Sequence, residues 1–196
     1  EALAGSLWPL PFYCGIAAPA RFLPEFQPAR GVAPARWLLD LLARSGAAEL
    51  LRALHVVRAR ELPDSQHLES EVVERFGPWA DSVWGEAGGG YSLVAVRDRA
   101  SLDRLYPAGG RAIRCRVSYR GELAGWAVLL DTPMSGHKHF GALRVGSVID
   151  CLARPGREAA VAQAATRMLE ARGVDLMVSN QADRAWGSAL RRAGWD

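Results

Sequence analysis

Lysine is nearly absent from this chain of 196 residues. Lys138 is the single lysine, although lysine and arginine together number 24. The arginines are spread along the sequence, so the net charge of +3 forms no polybasic run. Proteins dedicated to nucleic-acid binding normally carry a clustered basic face. The sequence therefore argues against DNA as a partner.

Cysteine is also scarce. Cys14, Cys115 and Cys151 lie far apart and form no Cys-x-x-Cys pair, which excludes a disulfide framework and gives no indication of a zinc site. We therefore expect the reducing cytoplasm as the compartment and no bound metal. His137 and His139 form a His-x-His pair, either half of a metal site or a solvated turn, and we favour the turn because no third ligand is evident.

Long apolar runs are missing as well. No run approaches the roughly 18 residues that a membrane-spanning helix needs, and the first residues lack the basic and then apolar pattern of a secretory signal. Hydrophobic residues make up 49% and charged residues 23% of the chain, an ordinary globular composition. Because the sequence does not begin with methionine, we expect it to start inside a longer protein.

Proline, in contrast, is concentrated in the first third, at positions 9, 11, 19, 24, 28 and 34. The missing amide donors argue against a regular helix or a central strand there. Apolar spacing over positions 37–54 predicts a pair of helices. The polar stretch that contains Pro63 and Asp64 marks a boundary, so we expect an N-terminal extended and helical segment over residues 1–68 and one domain over residues 69–196.

The first part of that domain predicts an antiparallel hairpin. Residues Glu69–Phe76 have helical spacing, and Asp98 is placed to cap a short helix. Apolar and polar residues then alternate over Ile113–Tyr119, as in a half-buried strand. A turn follows, and the unbroken apolar run Trp126–Leu130 predicts a partner strand that is buried on both faces.

The stretch Val148–Trp195 predicts a βαβα unit. A strand that contains Gly146, a sign of a bulge or a close backbone approach, ends at a Pro-Gly turn. A helix from Arg157 stops at Gly173, and a short strand and a last helix follow. We therefore expect an α/β (α+β) fold with a mixed sheet, an antiparallel hairpin followed by a βαβα unit.

This order of elements, with the Gly194-Trp195 pair, resembles the GNAT superfamily of acyl-CoA-dependent N-acyltransferases over roughly residues 76–195. The segments VRDRASLDRLYP and YRGELAGWAVLL further resemble the acetyltransferase-like domains related to Fem-type aminoacyl transferases and to bacterial surface-polysaccharide loci. Some of those proteins carry two such domains in tandem. Residues 1–68 would then be the tail of a preceding GNAT-like half and a connecting helix.

The resemblance implies a binding site for acetyl-CoA or another acyl-CoA in the turn after the fourth strand of the family. Backbone amides there and at the following helix N-terminus would hold the pyrophosphate, because both present N–H groups to an anion. The cofactor-binding residues implied here are Cys151, Leu152, Ala153, Gly156, Arg157, Glu158 and Ala159. Gly156 is the single glycine of this turn, and Leu190 occupies the position where the family often has a tyrosine acid.

Two residues at strand ends are candidates for the chemistry. Asp150 could act as a base or position an amine, or it could cap the following turn. Asn180 could bond the cofactor or a catalytic water, or it could cap a helix. Cys151 is more simply a buried apolar filler than a nucleophile.

The leading hypothesis is a GNAT-family N-acyltransferase that moves an acyl group from acyl-CoA to an amine, a small molecule or a cell-envelope or polysaccharide precursor. A catalytically inactive GNAT-like binding or assembly domain is the alternative, and a Fem-like aminoacyl transferase is the third. The expected partners are the amine acceptor and either a second copy in a homodimer or a tandem GNAT-like half.

Overall fold

The computed structural model describes residues 12–25, 64–92, 94–137 and 141–196. The helix pair predicted over positions 37–54 and the second histidine of the His-x-His pair, His139, lie outside these ranges. No helix of the described part is long and apolar enough to cross a membrane.

The described residues form six strands, five α-helices and two 3₁₀ turns. The strands are β1 (Tyr13–Ile16), β2 (Leu68–Val73), β3 (Ile113–Tyr119), β4 (Glu122–Pro133), β5 (Arg144–Ala153) and β6 (Leu176–Ser179). The helices are α1 (Pro19–Glu25), α2 (Pro78–Ala87), α3 (Arg99–Leu105), α4 (Glu158–Ala171) and α5 (Arg184–Arg192), and the 3₁₀ turns are Ser65–His67 and Gly88–Gly90.

All six strands belong to one mixed sheet in the order β1-β6-β5-β4-β3-β2. Neighbouring strands are antiparallel except β5 and β6, which are parallel and are connected through α4. The predicted hairpin is β3–β4, and β5-α4-β6-α5 is the predicted βαβα unit. The predicted mixed α+β sheet is therefore confirmed.

Helices cover both faces of the sheet because the central strand β4 is apolar on both sides. Ala127 and Leu129 face α4 and α5, whereas Trp126 and Val128 face α2 and Leu102 of α3. All four β4 residues are fully buried. The burial of this run on both faces, predicted from its unbroken apolar character, is confirmed.

The helix predicted over Glu69–Phe76 is wrong, because most of this segment is the strand β2. Leu68–Val73 pairs antiparallel with β3 along its whole length, and the Glu71 carboxylate accepts a hydrogen bond from the Arg116 guanidinium at 2.9 Å. Pairing with a preformed hairpin supplies backbone hydrogen bonds that a single amphipathic turn would have to form alone. The helix starts only after Gly77, with Pro78 in its first turn.

The prolines of the N-terminal segment do not exclude a short regular helix, contrary to the prediction from their frequency. Pro19 begins the short helix α1, where its missing amide would have had no partner, and Pro24 lies one residue before the helix ends. The expectation of no regular helix is wrong for these seven residues. β1 pairs with β6 on one side, and Cys14 exchanges two backbone hydrogen bonds of 2.8 Å with Asp196 on the other. The division of the chain at residue 68 stays a prediction.

Candidate functional site

The pairing between the parallel strands β5 and β6 ends halfway along β5. Their pairing runs from Val145–Leu176 to Val148–Ser179, where the Ser179 hydroxyl donates to the Val148 carbonyl oxygen at 3.2 Å. β5 then continues to Ala153 beside β4 alone. Because parallel strands expose backbone groups where pairing stops, this half of β5 borders a cleft.

A bulge in β5 lies at the point where the cleft opens. Val128 of β4 pairs with Asp150 and Leu129 with Val148, so Ile149 is the extra residue. Ile149 packs against the apolar cluster under α2, the cluster that also receives Leu152. The close approach predicted for Gly146 is separate from this bulge: a Cβ there would lie 2.9 Å from Leu169 Cδ2.

The bulge places the Asp150 carboxylate among three donors. Arg97 Nε donates to Oδ2 at 2.7 Å, the Tyr106 hydroxyl donates to the same oxygen at 2.9 Å, and the Cys151 amide donates to Oδ1 at 3.0 Å. Asp150 is 8% exposed. Burial raises the pKa of Asp150, while the Arg97 charge and the hydrogen bonds from Tyr106 oppose that rise. Burial and the nearby carboxylate raise the pKa of Tyr106.

The loop that carries Tyr106 is fixed by a buried cation. Arg114 of β3 is 4% exposed and donates through Nε to the Tyr106 carbonyl oxygen at 2.9 Å. Its two terminal nitrogens donate to the carbonyl oxygens of Ala112 and Pro107. The guanidinium thus closes the connection between α3 and β3 and sets the direction of the Tyr106 side chain.

A cavity of about 140 Å³ lies at the far end of β5, between the start of α4 and the start of α5. It is lined by Ala87, Gly90, Tyr91, Ala153, Pro155, Glu158, Asp183 and Ala185. The Tyr91 hydroxyl oxygen accepts a hydrogen bond from Trp186 Nε1 at 3.2 Å. Burial raises the pKa of Tyr91, so this phenol is a neutral donor in the cavity wall.

Two carboxylates bring negative charge to this cavity. Asp183 caps α5 by accepting from the amides of Ala185 and Trp186 at 2.8 and 3.2 Å. Glu158, the first residue of α4, accepts from the Gly156 amide at 3.3 Å. A carboxylate is stable at a helix N-terminus for the same reason that a phosphate is. The amide of Gly156 is thus already used within the turn.

The nine predicted site residues are distributed over both ends of the cleft. Asp150 lies at the bulge, and Ala153 and Glu158 line the cavity. Gly156 is exposed at a φ of 78°, and the Arg157 guanidinium lies 5.5 Å from the Tyr119 ring centre and 3.2 Å from a Glu122 carboxylate oxygen. The remaining four are Cys151 and Leu152, both buried, Ala159, half-buried, and Asn180, exposed beyond β6.

Cys151 has the environment of a core residue. Its side chain belongs to the cluster packed under α4, and complete burial raises the pKa of its thiol. A thiol held protonated is a poor nucleophile. Among the described residues, no group of three or more His, Cys, Asp or Glu side chains could hold a metal ion.

Sequence reasoning missed Arg97 and Tyr106, which lie 53 and 44 positions before Asp150. Neither stands at a spacing that relates it to β5, and the contact exists only because α3 packs across the sheet. Both do belong to the segment VRDRASLDRLYP. That local resemblance was the one available signal.

The fold is a mixed sheet with helices on both faces and a cleft where its parallel pair separates. No protein-family model and no curated protein matches the chain. Among solved structures, the chain is similar to an aminoglycoside acetyltransferase from an uncultured soil metagenomic sample, at 13% identity, over 65% of this chain and 85% of that one, with a TM-score of 0.41.

Two further structures show a similar degree of likeness. A Bacillus subtilis acetyltransferase in complex with CoA is 14% identical over 65% of this chain and 75% of that one, with a TM-score of 0.43. A ribosomal-protein-alanine N-acetyltransferase from Brucella melitensis biovar Abortus 2308 is 15% identical over 63% and 87%, with a TM-score of 0.42. These figures describe a partial likeness of fold and assign no substrate.

Proposed function

We propose that this chain is an N-acyltransferase domain that moves an acyl group from acyl-CoA to an amine. The observation that carries the proposal is the separation of β5 from β6 beside the buried Asp150 carboxylate, with the N-terminus of α4 at the end of the same strand. A thioester arm laid along the unpaired half of β5 would bring its carbonyl carbon near Asp150.

The chemistry follows from the groups along β5. The amine nitrogen attacks the thioester carbonyl carbon, and a backbone N–H of β5 stabilises the negative charge that develops on the carbonyl oxygen. Asp150 accepts the proton that the nitrogen loses. The carbon–sulfur bond then breaks, and the CoA thiolate leaves and is protonated. The products are an amide and free CoA, so no outside oxidant or reductant is needed.

The donor would be held at the far end of the strand. Because the amides of Gly156 and Arg157 are bonded within the turn, the backbone amides of Glu158 and Ala159 at the start of α4 would face the pyrophosphate. Asn180 would bond the donor or a water at the mouth of the cleft. The acceptor proposed here is an amine on a small molecule or on a cell-envelope or polysaccharide precursor in the cytoplasm. The resemblance of the segment over positions 96–107 supports that choice.

A second candidate is a GNAT-like domain that binds a partner without catalysis. The observation that favours it is the pair of carboxylates, Glu158 and Asp183, in the cavity wall. Leu190, at the position where the family often has a tyrosine, is 1% exposed and packed in the core. Both features would weaken pyrophosphate binding and proton transfer.

Titration with acetyl-CoA separates the two candidates. A ligand that binds the native state must stabilise it, by about 1.4 kcal/mol when its concentration is ten times Kd. We expect millimolar acetyl-CoA to raise the Tm of the wild-type protein, and CoA to be released when an amine is added. Absence of any Tm increase at millimolar acetyl-CoA would favour the non-catalytic candidate and contradict the acyltransferase.

Substitution of Asp150 tests the assigned base. In Asp150→Asn the side chain keeps its size but cannot accept a proton, so we expect the rate of CoA release to fall about 100-fold or more. The rise in Tm with acetyl-CoA should persist, because the pyrophosphate of the donor would be held at the start of α4 and not by Asp150. Equal transfer rates in this variant and the wild type would show that Asp150 is not the base.

A further inference from the structure

The two oxygens of the Asp150 carboxylate have different surroundings. Oδ2 accepts from Arg97 and from Tyr106, which together use both of its lone pairs. Oδ1 accepts from the Cys151 amide, the next residue in the same strand. Among the described residues, Oδ1 therefore retains one acceptor position and Oδ2 retains none.

We propose that Arg97 and Tyr106 are positioning residues that hold Asp150 by Oδ2 and leave Oδ1 as the oxygen that receives the proton of the acceptor amine. The inference rests on the proposed acyl transfer. It adds the two residues that fix the orientation of the Asp150 carboxylate. Neither residue needs to contact the acyl donor or the acceptor.

Both donors reach Asp150 from outside the sheet. Arg97 precedes α3 and Tyr106 follows it, so the helix presents one donor from each of its ends to a single carboxylate oxygen. The Arg97 side chain is 22% exposed and the Asp150 side chain 11%, so water screens this ion pair only weakly. A charge-assisted hydrogen bond of 2.7 Å in such surroundings fixes the orientation of the carboxylate.

The position of Tyr106 is itself secured by Arg114. A buried guanidinium that is bonded to three backbone carbonyl oxygens of the α3–β3 connection fixes the backbone from which the tyrosine projects. An arrangement that merely filled space would not need a buried cation at this place. The contact between Tyr106 and Asp150 is therefore built into the fold.

The arrangement predicts how the ionisation of Asp150 responds to substitution. Arg97, Tyr106 and Cys151 are the titratable neighbours that interact with Asp150. Loss of the Arg97 charge or of the Tyr106 hydrogen bond removes a group that favours the carboxylate form, so the pKa of Asp150 must rise. The acidic limb of the pH profile of kcat/KM then moves to higher pH.

The first experiment compares pH profiles of acyl transfer. Arg97→Gln should move the acidic limb upward by about one pH unit and Tyr106→Phe by less, with kcat reduced about tenfold and the KM for acetyl-CoA within about twofold of wild type. Arg97→Lys keeps the charge and should recover part of the shift. Arg99→Gln removes an exposed charge from the first residue of α3 and serves as the matched control, with an unchanged profile.

The second experiment measures the ionisation of the Asp150 carboxyl group directly. Aspartate labelled with ¹³C at the carboxyl carbon is titrated by NMR in the free protein, with Asp150→Asn used to assign the signal. A higher pKa of Asp150 in both Arg97→Gln and Tyr106→Phe, with native Tm values, supports the positioning role. An Asp150 titration unchanged in both variants overturns it, whether or not the protein transfers acyl groups.

The two readouts also separate this inference from the proposed function. The wild-type protein could release no CoA from acetyl-CoA with any amine, while its variants show the shifted titration. That result would contradict the acyltransferase and would still support the proposal that Arg97 and Tyr106 hold Asp150 through Oδ2. Active wild-type protein whose variants lower kcat without moving either the pH profile or the NMR titration overturns the inference alone.

Discussion

The guanidinium of Arg114 donates three hydrogen bonds to backbone carbonyl oxygens. Arg114 lies on β3, is 4% exposed, and donates to the carbonyl oxygens of Tyr106, Pro107 and Ala112 in the α3–β3 connection. A buried charge is tolerated only when its donors are satisfied. The residue therefore couples the stability of the α3–β3 connection to the geometry of Tyr106.

Replacement of Arg114 should cost stability for that reason. In Arg114→Met the side chain keeps much of its length and loses all donors, and we expect the free energy of unfolding to fall by about 3 kcal/mol, because three part-buried hydrogen bonds from a charged donor are lost. Urea unfolding measures the change. Arg111→Met, at an exposed position just before β3, is the control and should lie within about 0.5 kcal/mol of wild type. Equal losses in the two variants would contradict the assigned role.

At the scale of strands and helices, β4 and β5 approach each other closely at Gly125. A Cβ at this position would lie 2.3 Å from the Leu152 carbonyl oxygen and 2.7 Å from Ala153 Cα, and the φ of 157° is one that other residues rarely adopt. The neighbouring atoms belong to backbone and cannot rotate away. Glycine here permits the pairing that carries β5 to the cleft.

Gly125→Ala should therefore separate the two strands locally. We expect a loss of at least about 2 kcal/mol in the free energy of unfolding, because overpacking against backbone adds to the strain at positive φ. Gly89→Ala is the matched control, since a Cβ there meets nothing within 4 Å. Thermal and urea unfolding of both variants give the comparison, and a stability of Gly125→Ala equal to that of the control would refute the close approach.

Sequence patterns predicted the elements whose residues repeat with a clear period. β3 alternates, β4 is apolar over Trp126–Leu130, and α4 buries Val161, Ala164, Ala165 and Leu169 and ends before Gly173, all as expected. β2 was missed because its four middle residues are exposed and its pairing, not its own pattern, makes it a strand. Gly146 was predicted to mark a bulge or a close backbone approach; it marks the close approach, and the bulge lies at Ile149.

The candidate site was predicted only in part because half of it comes from distant sequence. Asp150 was singled out as a residue at a strand end, but β5 continues to Ala153 and only its pairing with β6 ends near Asp150. Arg97 and Tyr106 could not be identified, since nothing local to an exposed loop and a short helix indicates what they contact. Tyr91 in the cavity wall and Trp186 are likewise 95 positions apart and are joined by a hydrogen bond. Long-range contacts of this kind depend on the packing of whole elements.

At the scale of the whole molecule, Asp131 links β4, β5 and the end of α4. Its two carboxylate oxygens accept from Arg144 at 2.7 and 2.6 Å, and an Arg172 nitrogen lies 3.9 Å away. The Arg144 hydrogen bonds hold the pKa of Asp131 below its ordinary value. A carboxyl group with a lowered pKa stabilises the fold above the unfolded-state pKa and loses that contribution as the pH falls through the folded-state pKa.

The stability of the protein at acid pH should depend on the interaction of Asp131 with Arg144. We expect the difference in free energy of unfolding between wild type and Asp131→Asn to be constant near neutral pH and to shrink as the pH falls below about 4, the unfolded value for aspartate. Asp150, whose pKa is raised, contributes with the opposite sign and is unaffected by this change. Urea unfolding from pH 7 to pH 2.5 measures this difference. If the difference in free energy of unfolding stays constant down to pH 2.5, Asp131 does not contribute to the acid sensitivity of the fold.

The two backbone hydrogen bonds between Cys14 and Asp196 cover part of the outer side of the edge strand β1. Its partners, β6 and Asp196, come from the other end of the described sequence, so this pairing closes a long loop, whereas β3 and β4 meet through a two-residue turn. Long loops close late and at an entropic cost. Pairing of β1 thus depends on residues that are distant in sequence, and we expect β1 to join the sheet after the β3–β4 hairpin has formed.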